Sequence, residues 1–266
     1  MLLLLVLLLS ACRAPGDALL EACTEASDAT DGVAACTTAI ESGKLSGGSL
    51  GDAHLHRAIA YVSMSRFRPA LADIDVALPL LPERTAEIRT YRGIVNGQAG
   101  DLAAALVEFD AALAIDPKRF DASVNRAKVL ADSGQFARSL PEFDRALELE
   151  PGNSIALNGR CWSRAVLNVE LDQAFADCDA AARAGGEDFA NNLNSRAFVQ
   201  YRRGKYREAI VGYSESLEHR EMASSYFVRG LARRAIGEEG ADADIERAMA
   251  LEPGVRGRFA TYGVNP

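Results

Sequence analysis

The chain has 266 residues and a formal net charge of −8, and 48% of its residues are hydrophobic but only 7% are aromatic. The acidic balance argues against a nucleic-acid-binding protein, because neutralising phosphates requires a basic stripe that the sequence lacks. The sequence also lacks the alternation of apolar and polar residues that would predict strands, so a helical class is favoured.

The first predicted element is a signal peptide over residues 1–11. Its first nine residues are apolar, too few for the roughly 20 residues of a transmembrane helix, and resemble the apolar part of a secretory signal. The LSAC sequence that ends at Cys12 resembles the lipobox of bacterial lipoproteins, in which the cysteine is lipidated and becomes the first mature residue. Arg13 then resembles the outer-membrane sorting pattern. Ordinary cleavage after Ala14 is the alternative.

The next predicted segment, residues 12–50, holds the lipidation site, a helical cap and a Gly/Ser-rich linker. The chain has five cysteines, and an even four remain when Cys12 is set aside, as expected for disulfides in an exported protein. Cys23 and Cys36 lie on two short helical stretches joined by a turn. A bridge between them would staple a helical hairpin and contribute about 3 kcal/mol of loop-closure entropy.

A pattern that recurs six times accounts for residues 51–255. An arginine followed by a small residue marks each copy, at intervals of 33 to 36 residues. The six arginines are Arg57, Arg92, Arg126, Arg160, Arg196 and Arg229. A small, a bulky and a second small residue follow on a second helix, as at Ala70, Ile74 and Ala77, and small residues let two helices pack closely. This pattern resembles the tetratricopeptide repeat (TPR), a helix-turn-helix unit of about 34 residues.

The resemblance implies an all-α fold. We expect a TPR α-solenoid of about six helix-turn-helix repeats over residues 51–255, preceded by the helical hairpin cap. Residues 256–266 are expected to form a C-terminal tail. The tryptophan that the family usually carries near the start of the first helix is absent from all six copies.

The fourth copy carries a second pair of cysteines. Cys161 and Cys178 occupy facing positions on its two helices, which predicts a disulfide within one hairpin. The alternatives are four buried free thiols, or a zinc site, although neither CxxC spacing nor clustered histidines accompany the cysteines.

Acidic residues recur at one position of the second helix. They predict a ladder of ion pairs with the six arginines, whose stems would also cover apolar surface. The acids are Asp73, Glu108, Glu142, Asp177 and Asp244. Gly212 stands at this position in the fifth copy, so Arg196 should be the exception.

No catalytic arrangement is visible in the sequence. His54 and His56 are two residues apart and would point to different faces of a helix. We find no Ser/His/Asp or Cys/His set and no phosphate-binding loop, so we expect neither an enzyme nor a bound metal or cofactor.

The sequence therefore favours a non-catalytic scaffold of the bacterial cell envelope that binds a protein or peptide. The family's groove residues map onto Asn158, Trp162, Asn194, Phe198, Tyr201 and Phe227. Asparagine amides can pair with an extended peptide backbone, and partly exposed aromatics are typical of binding hot spots. The competing interpretation of the aromatics is packing between repeats.

Two other functions fit the same sequence. One is a structural subunit of an envelope assembly, and the other is a regulatory adaptor of a periplasmic hydrolase. In each case we expect an exported, periplasmic protein that meets the membrane only through a lipid on Cys12 and does not bind nucleic acid.

Overall fold

A computed structural model of the protein describes residues 16–186 and 188–265. All regular structure in these residues is helical, with fifteen α-helices and no strand, so the predicted all-α fold of helix-turn-helix repeats is confirmed. None of the described helices combines the length and the apolar character that crossing a membrane requires. The predicted signal peptide and the lipidation site at Cys12 lie outside the described residues. The chain divides into two compact units, with the boundary between residues 117 and 118.

The first unit contains six helices. They are α1 (Asp17–Thr24), α2 (Ala29–Glu41), α3 (Gly47–Ser63), α4 (Phe67–Leu80), α5 (Thr85–Gln98) and α6 (Leu102–Ile115). The helices α1 and α2 form the expected cap, and a disulfide joins Cys23 to Cys36 with the two Cα atoms 4.5 Å apart. The Asp28 side chain caps α2 by accepting hydrogen bonds from the backbone of residues 30 and 31.

The predicted Gly/Ser linker is the part of this unit that differs from expectation. Helix α3 begins at Gly47, so the glycines belong to its first turns. An ideal Cβ on Gly51 would lie only 2.8 Å from Cγ of Leu81, which is buried. Glycine here lets α3 approach the end of α4 closely, and so its role is packing.

The second unit contains nine helices. They are α7 (Phe120–Asp132), α8 (Phe136–Leu149), α9 (Ser154–Leu167), α10 (Leu171–Ala184), α11 (Phe189–Arg202), α12 (Tyr206–His219), α13 (Ala223–Ala235), α14 (Ala241–Leu251) and α15 (Val255–Thr261). The first eight form four antiparallel hairpins, each corresponding to one sequence repeat. A disulfide joins Cys161 on α9 to Cys178 on α10, with a Cα separation of 5.5 Å and both side chains fully buried.

In each unit, a helical glycine, which has no side chain, lets an aromatic ring pack directly against the helix backbone. In the first unit an ideal Cβ on Gly93 would lie 2.6 Å from the ring of Phe109. In the second unit a Cβ on Gly159 would lie 2.2 Å from Cζ of Phe143. Both distances are shorter than any tolerated contact, so these glycines set the depth to which the rings are buried.

Helix α15 occupies part of the segment that was expected to be a C-terminal tail. Val255 and Phe259 of this helix and Val264 beyond it are buried against the second unit. Residues 255, 259 and 262 follow one another at steps of four and three, which places them on one face of a helix. That spacing was visible in the sequence, and it explains why the segment folds back on the unit.

The arginine ladder is confirmed. Five of the six repeat arginines bind the predicted acid of their own hairpin, with N–O distances of 2.6 to 2.7 Å. Arg196 is the exception, as expected, and it pairs with Glu215 at 2.9 Å and Asp179 at 3.4 Å. Gly212 stands at the acid position of this hairpin, and a Cβ there would lie 3.1 Å from Ala197.

A second set of carboxylates that bind the repeat arginines was not predicted from the sequence. Arg92 also binds Asp75, and Arg160 also binds Asp144, each at 2.8 Å. Both carboxylates lie on the second helix of the preceding hairpin, two residues after its ladder acid. Each of these arginines therefore ties one hairpin to the hairpin before it, and the regular two-residue offset was the signal that could have revealed it.

Removing a ladder charge should destabilise the second unit. Asp177 is 7% exposed and accepts hydrogen bonds from both Arg160 and Arg164. We expect Asp177→Asn to lower the free energy of unfolding by about 2–3 kcal/mol, because charge-assisted hydrogen bonds are lost in a mostly buried setting. Urea denaturation followed by circular dichroism would measure the change.

The matched control is Glu215→Gln. Its carboxylate pairs with Arg196, but its side chain is 42% exposed, so we expect a loss below about 1 kcal/mol. Equal losses for the two variants would contradict a structural ladder.

Candidate functional site

The six predicted groove residues all lie on first helices of the hairpins in the second unit. Asn158 and Trp162 are on α9, Asn194, Phe198 and Tyr201 are on α11, and Phe227 is on α13. The structure brings the aromatic residues together. The rings of Trp162 and Phe198 are 5.0 Å apart, and those of Phe198 and Tyr201 are 6.4 Å apart.

Three of the six residues are not available to a partner, which corrects the prediction for them. Phe198 and Phe227 are fully buried, because the ring of Phe259 on α15 packs at 5.8 Å from the first and 5.4 Å from the second. Asn194 is also buried, and its amide donates hydrogen bonds to the hydroxyl of Ser225 at 2.6 Å and of Ser224 at 3.3 Å. These side chains hold the unit together.

Tyr201 and Trp162 remain partly exposed. Burial raises the pKa of Tyr201 by disfavouring its charged form. Trp162 packs on Phe198 with one side and meets the edge of Tyr262 at 6.0 Å. It is the one predicted aromatic that lines an open cavity together with a predicted asparagine.

That cavity, here called the amide pocket, is formed by α7, α9 and α11 and encloses about 280 Å³. Its polar lining consists of Asn125, Lys128, Asp132, Asn158, Asp188, Asn191 and Asn192. Trp162 forms part of the apolar wall. Asn125 and Asn191 were not predicted as site residues, because neither lies at the repeat position that Asn158 occupies. They come close to Asn158 only through the packing of the helices.

The asparagines of the amide pocket differ in how their hydrogen-bonding capacity is used. Asn125 donates to the Asp121 carbonyl at 2.8 Å, and Asn192 donates to the Ala181 carbonyl at 3.1 Å. For Asn158, the contact found among the described residues is weak, since its oxygen lies 3.9 Å from the disulfide sulfur of Cys178. A disulfide sulfur has no hydrogen to donate, so the Asn158 amide keeps its donors and acceptor for a ligand.

The electrostatics of the amide pocket are mixed. Lys128, which is exposed, lines the pocket together with Asp132 and Asp188, and its charge acts on the carboxyl group of Asp132. Within residues 16–186 and 188–265, no cluster of three or more His, Cys, Asp or Glu side chains is arranged to hold a metal ion. The pocket thus offers amide hydrogen bonds, one cation and an indole face, which suit a polypeptide backbone with an apolar side chain.

Trp162 also lines a second cavity, which encloses about 770 Å³. Its other lining residues come from the α7–α8 region, from the end of α9 and from residues 261–263 at the end of α15. Arg202 lies nearby and donates to the carbonyl oxygens of Ala165 at 3.0 Å and Val166 at 3.2 Å, and also to that of Tyr262. Burial lowers the pKa of this arginine.

Comparisons with known proteins agree with this architecture. Residues 98–159 match the tetratricopeptide repeat family, and no curated protein sequence matches the chain. A tetratricopeptide repeat protein from Parabacteroides merdae superposes with a TM-score of 0.69 at 16% identity, covering 94% of this chain and 99% of its own. The type IV pilus biogenesis factor PilW gives a TM-score of 0.66 at 19% identity, covering 81% of this chain and 99% of its own.

PilF of Pseudomonas aeruginosa is also similar, with a TM-score of 0.63 at 16% identity over 79% of this chain and 96% of its own. At such identities the likeness shows the fold alone. The repeated hairpins, the small packing positions and the arginine ladder define a helical-repeat protein. Together with the family match over residues 98–159 and the likeness to these solved structures, they give the chain a tetratricopeptide-repeat fold.

Proposed function

We propose that the protein is a non-catalytic scaffold that binds an extended segment of a partner protein in the amide pocket. The observation that carries this proposal is the uncommitted amide of Asn158 beside the partly exposed indole of Trp162. Polar groups in protein interiors are usually paired, so an amide left open at a cavity points to a ligand.

The chemistry of the amide pocket suits a peptide in an extended conformation. The Asn158 amide can donate to a peptide carbonyl and accept from a peptide N–H, which provides affinity without strict dependence on sequence. Trp162 offers a flat apolar surface for one side chain, and Lys128 can bind a carbonyl or a carboxylate. Asp132 and Asp188 would disfavour strongly acidic peptides.

We further propose that the scaffold works in the bacterial cell envelope. Two disulfides support an oxidising compartment, and the apolar run and LSAC sequence at the start support export with lipidation at Cys12. The resemblance to a type IV pilus biogenesis factor is consistent with an envelope role.

Substitution of Asn158 tests the amide pocket. Immobilised protein would be incubated with envelope extract of the source organism, and captured proteins would be identified and their affinities measured with purified material. We expect Asn158→Ala to lower the affinity for the captured partner about tenfold, because the loss of one or two hydrogen bonds costs about 1–2 kcal/mol. The melting temperature should stay the same.

Gln173→Ala is the matched control, because this residue is an exposed amide on α10 outside the pocket. It should leave the affinity unchanged. An Asn158→Ala protein that keeps full affinity, or that melts at a much lower temperature, would refute the proposed role of the amide.

A further inference from the structure

The fifth repeat, made of α11 and α12, contains a cavity at the position where glycine replaces the ladder acid. The cavity encloses about 350 Å³ and is formed by α10, α11 and α12. Arg196, Ala197 and Gly212 all line it, and Gly212 is the residue that stands in place of the acid. In the other repeats a carboxylate binds the arginine from that position, so this cavity lies beside a guanidinium group without its usual carboxylate. We call it the ladder pocket.

The guanidinium group of Arg196 is used differently from those of other repeats. Three ladder arginines each donate from Nε and Nη2 to the two oxygens of one carboxylate, at 2.6 to 2.8 Å, namely Arg57, Arg160 and Arg229. Arg196 instead donates from Nη2 to Glu215 at 2.9 Å and from Nη1 to Asp179 at 3.4 Å. Among the residues that the structure describes, its Nε–H has no hydrogen-bond acceptor. One of the two donors that hold a carboxylate in those three repeats is therefore open in the fifth.

The two acids that do bind Arg196 are weak competitors for a ligand. The Glu215 side chain is 42% exposed, whereas the acids held by the three arginines above are 7% to 10% exposed. Asp179 also pairs with Arg183, at 2.5 Å. An exposed ion pair contributes little, and two parallel hydrogen bonds to one carboxylate are stronger and more specific than single ones. A ligand carboxylate can thus take Nε and Nη2 of Arg196 and leave Glu215 to water.

The amide of Gln200 provides a second polar group of the ladder pocket. Gln200 lines the cavity, and its side-chain oxygen is buried without a hydrogen-bond partner among the described residues. A buried acceptor without a partner is costly, so a donor group on a ligand would be stabilising at this point. Gln200 follows Arg196 by four residues on α11, and residues at this spacing are neighbours on one helix face. A hydroxyl group next to the ligand's carboxylate would therefore supply the donor.

The remaining walls of the ladder pocket define the size and charge of the ligand. Phe175 and Val211 provide apolar surface, and Val211 is 67% exposed. The charged lining residues balance, with two arginines and two glutamates, namely Arg196, Arg207, Glu208 and Glu215. Recognition then depends on directed hydrogen bonds more than on net charge, which favours a monoanion over a phosphate dianion. The volume is near the lower end of the roughly 300–1,000 Å³ that ligand cavities occupy, so the ligand is small.

We propose that the ladder pocket binds a small 2-hydroxy carboxylic acid with an apolar side chain. Its carboxylate would bind Nε and Nη2 of Arg196, its hydroxyl would donate to the side-chain oxygen of Gln200, and its side chain would pack on Phe175 and Val211. The ligand carboxylate takes the place that a ladder acid takes in other repeats. The ladder pocket shares no lining residue with the amide pocket, so this site does not depend on the proposed peptide binding.

The test uses 2-hydroxy-4-methylpentanoate as the probe and the full chain as the receptor, with the affinity measured by isothermal titration calorimetry. We expect the acid to bind, and the uncharged 2-hydroxy-4-methylpentanamide to bind at least about tenfold more weakly, because charge-assisted hydrogen bonds are about twice as strong as neutral ones. 4-Methylpentanoate, which lacks the hydroxyl, should bind between the two. Inorganic phosphate should not bind.

Two substitutions place the ligand in the ladder pocket. Gly212→Asp returns a ladder acid to this repeat, and its carboxylate should take Arg196 and abolish binding. Gly212→Ala adds the same Cβ beside Ala197 without a carboxylate, so it measures the steric share of that loss and should keep part of the affinity. Arg196→Lys keeps the positive charge but removes the planar pair of donors, and should weaken binding at least about tenfold.

Two variants outside the ladder pocket serve as controls. Arg145→Lys alters an exposed basic residue of α8 and should bind the acid as the wild type does. Asn158→Ala should also leave this affinity unchanged, so a failure of the amide pocket and a failure of the ladder pocket can be told apart. A wild-type protein that does not bind the acid would overturn the proposal. So would an Arg196→Lys or Gly212→Asp protein that keeps its helical circular dichroism and binds the acid with wild-type affinity.

Discussion

Replacing Cys161 and Cys178 together with alanine should lower the stability of the second unit more than any surface change. The bridge closes a span of 17 residues inside one hairpin, and its removal restores about 3 kcal/mol of chain entropy to the unfolded state. Both sulfurs are fully buried, so their loss also leaves a void. We expect the melting temperature of this unit to fall by about 6–12 °C.

The protein carries a natural probe for this experiment. Trp162 is the single tryptophan of the chain and follows Cys161 on α9, so its fluorescence reports the second unit. The control replaces Cys23 and Cys36, whose bridge lies in the first unit, and should leave the Trp162 transition where it is. An unchanged Trp162 transition in the Cys161/Cys178 variant would contradict a stabilising role for this disulfide.

Replacing Phe198 with alanine should destabilise the protein by about 3–5 kcal/mol, the usual cost of deleting a fully buried aromatic side chain. Its ring contacts Trp162, Tyr201 and Phe259, so a cavity there also loosens α15. Thermal unfolding followed by circular dichroism would measure the loss.

Trp162→Ala is the informative comparison for Phe198→Ala. Because the indole is partly exposed, its removal should cost clearly less stability, yet it should abolish partner binding in the amide pocket. A Phe198→Ala protein as stable as the wild type would show that this ring is an exposed groove contact and not part of the packing between repeats.

The repeat fold was predictable because its determinants are local and recur. Each hairpin needs small residues at fixed positions, and an arginine and an acid one helix apart reappear at the same register, so six weak signals reinforce one another. The exception at Arg196 was predictable for the same reason, since Gly212 interrupts the series. Cys161 and Cys178 could be paired once the hairpin register was known.

The candidate site was less predictable because exposure depends on contacts that are distant in sequence. Phe198 and Phe227 occupy groove positions in the repeat pattern, but Phe259, from outside the repeats, covers them. Asn194 occupies the same repeat position as Asn158, yet its amide already donates a hydrogen bond to Ser225, 31 residues away. A repeat register gives the helix face of a residue, and only the tertiary structure shows what else lies on that face.

A photo-activated crosslinking residue at position 128 tests most directly whether the amide pocket binds the partner. Lys128 is exposed and lines the pocket, whereas Arg145 is an exposed basic residue of α8 outside it and serves as the reference position. The scaffold proposal predicts that position 128 crosslinks to one partner protein in envelope extracts, that position 145 does not, and that Asn158→Ala abolishes the product. Equal crosslinking at the two positions, or a product that survives Asn158→Ala, would contradict binding in the amide pocket.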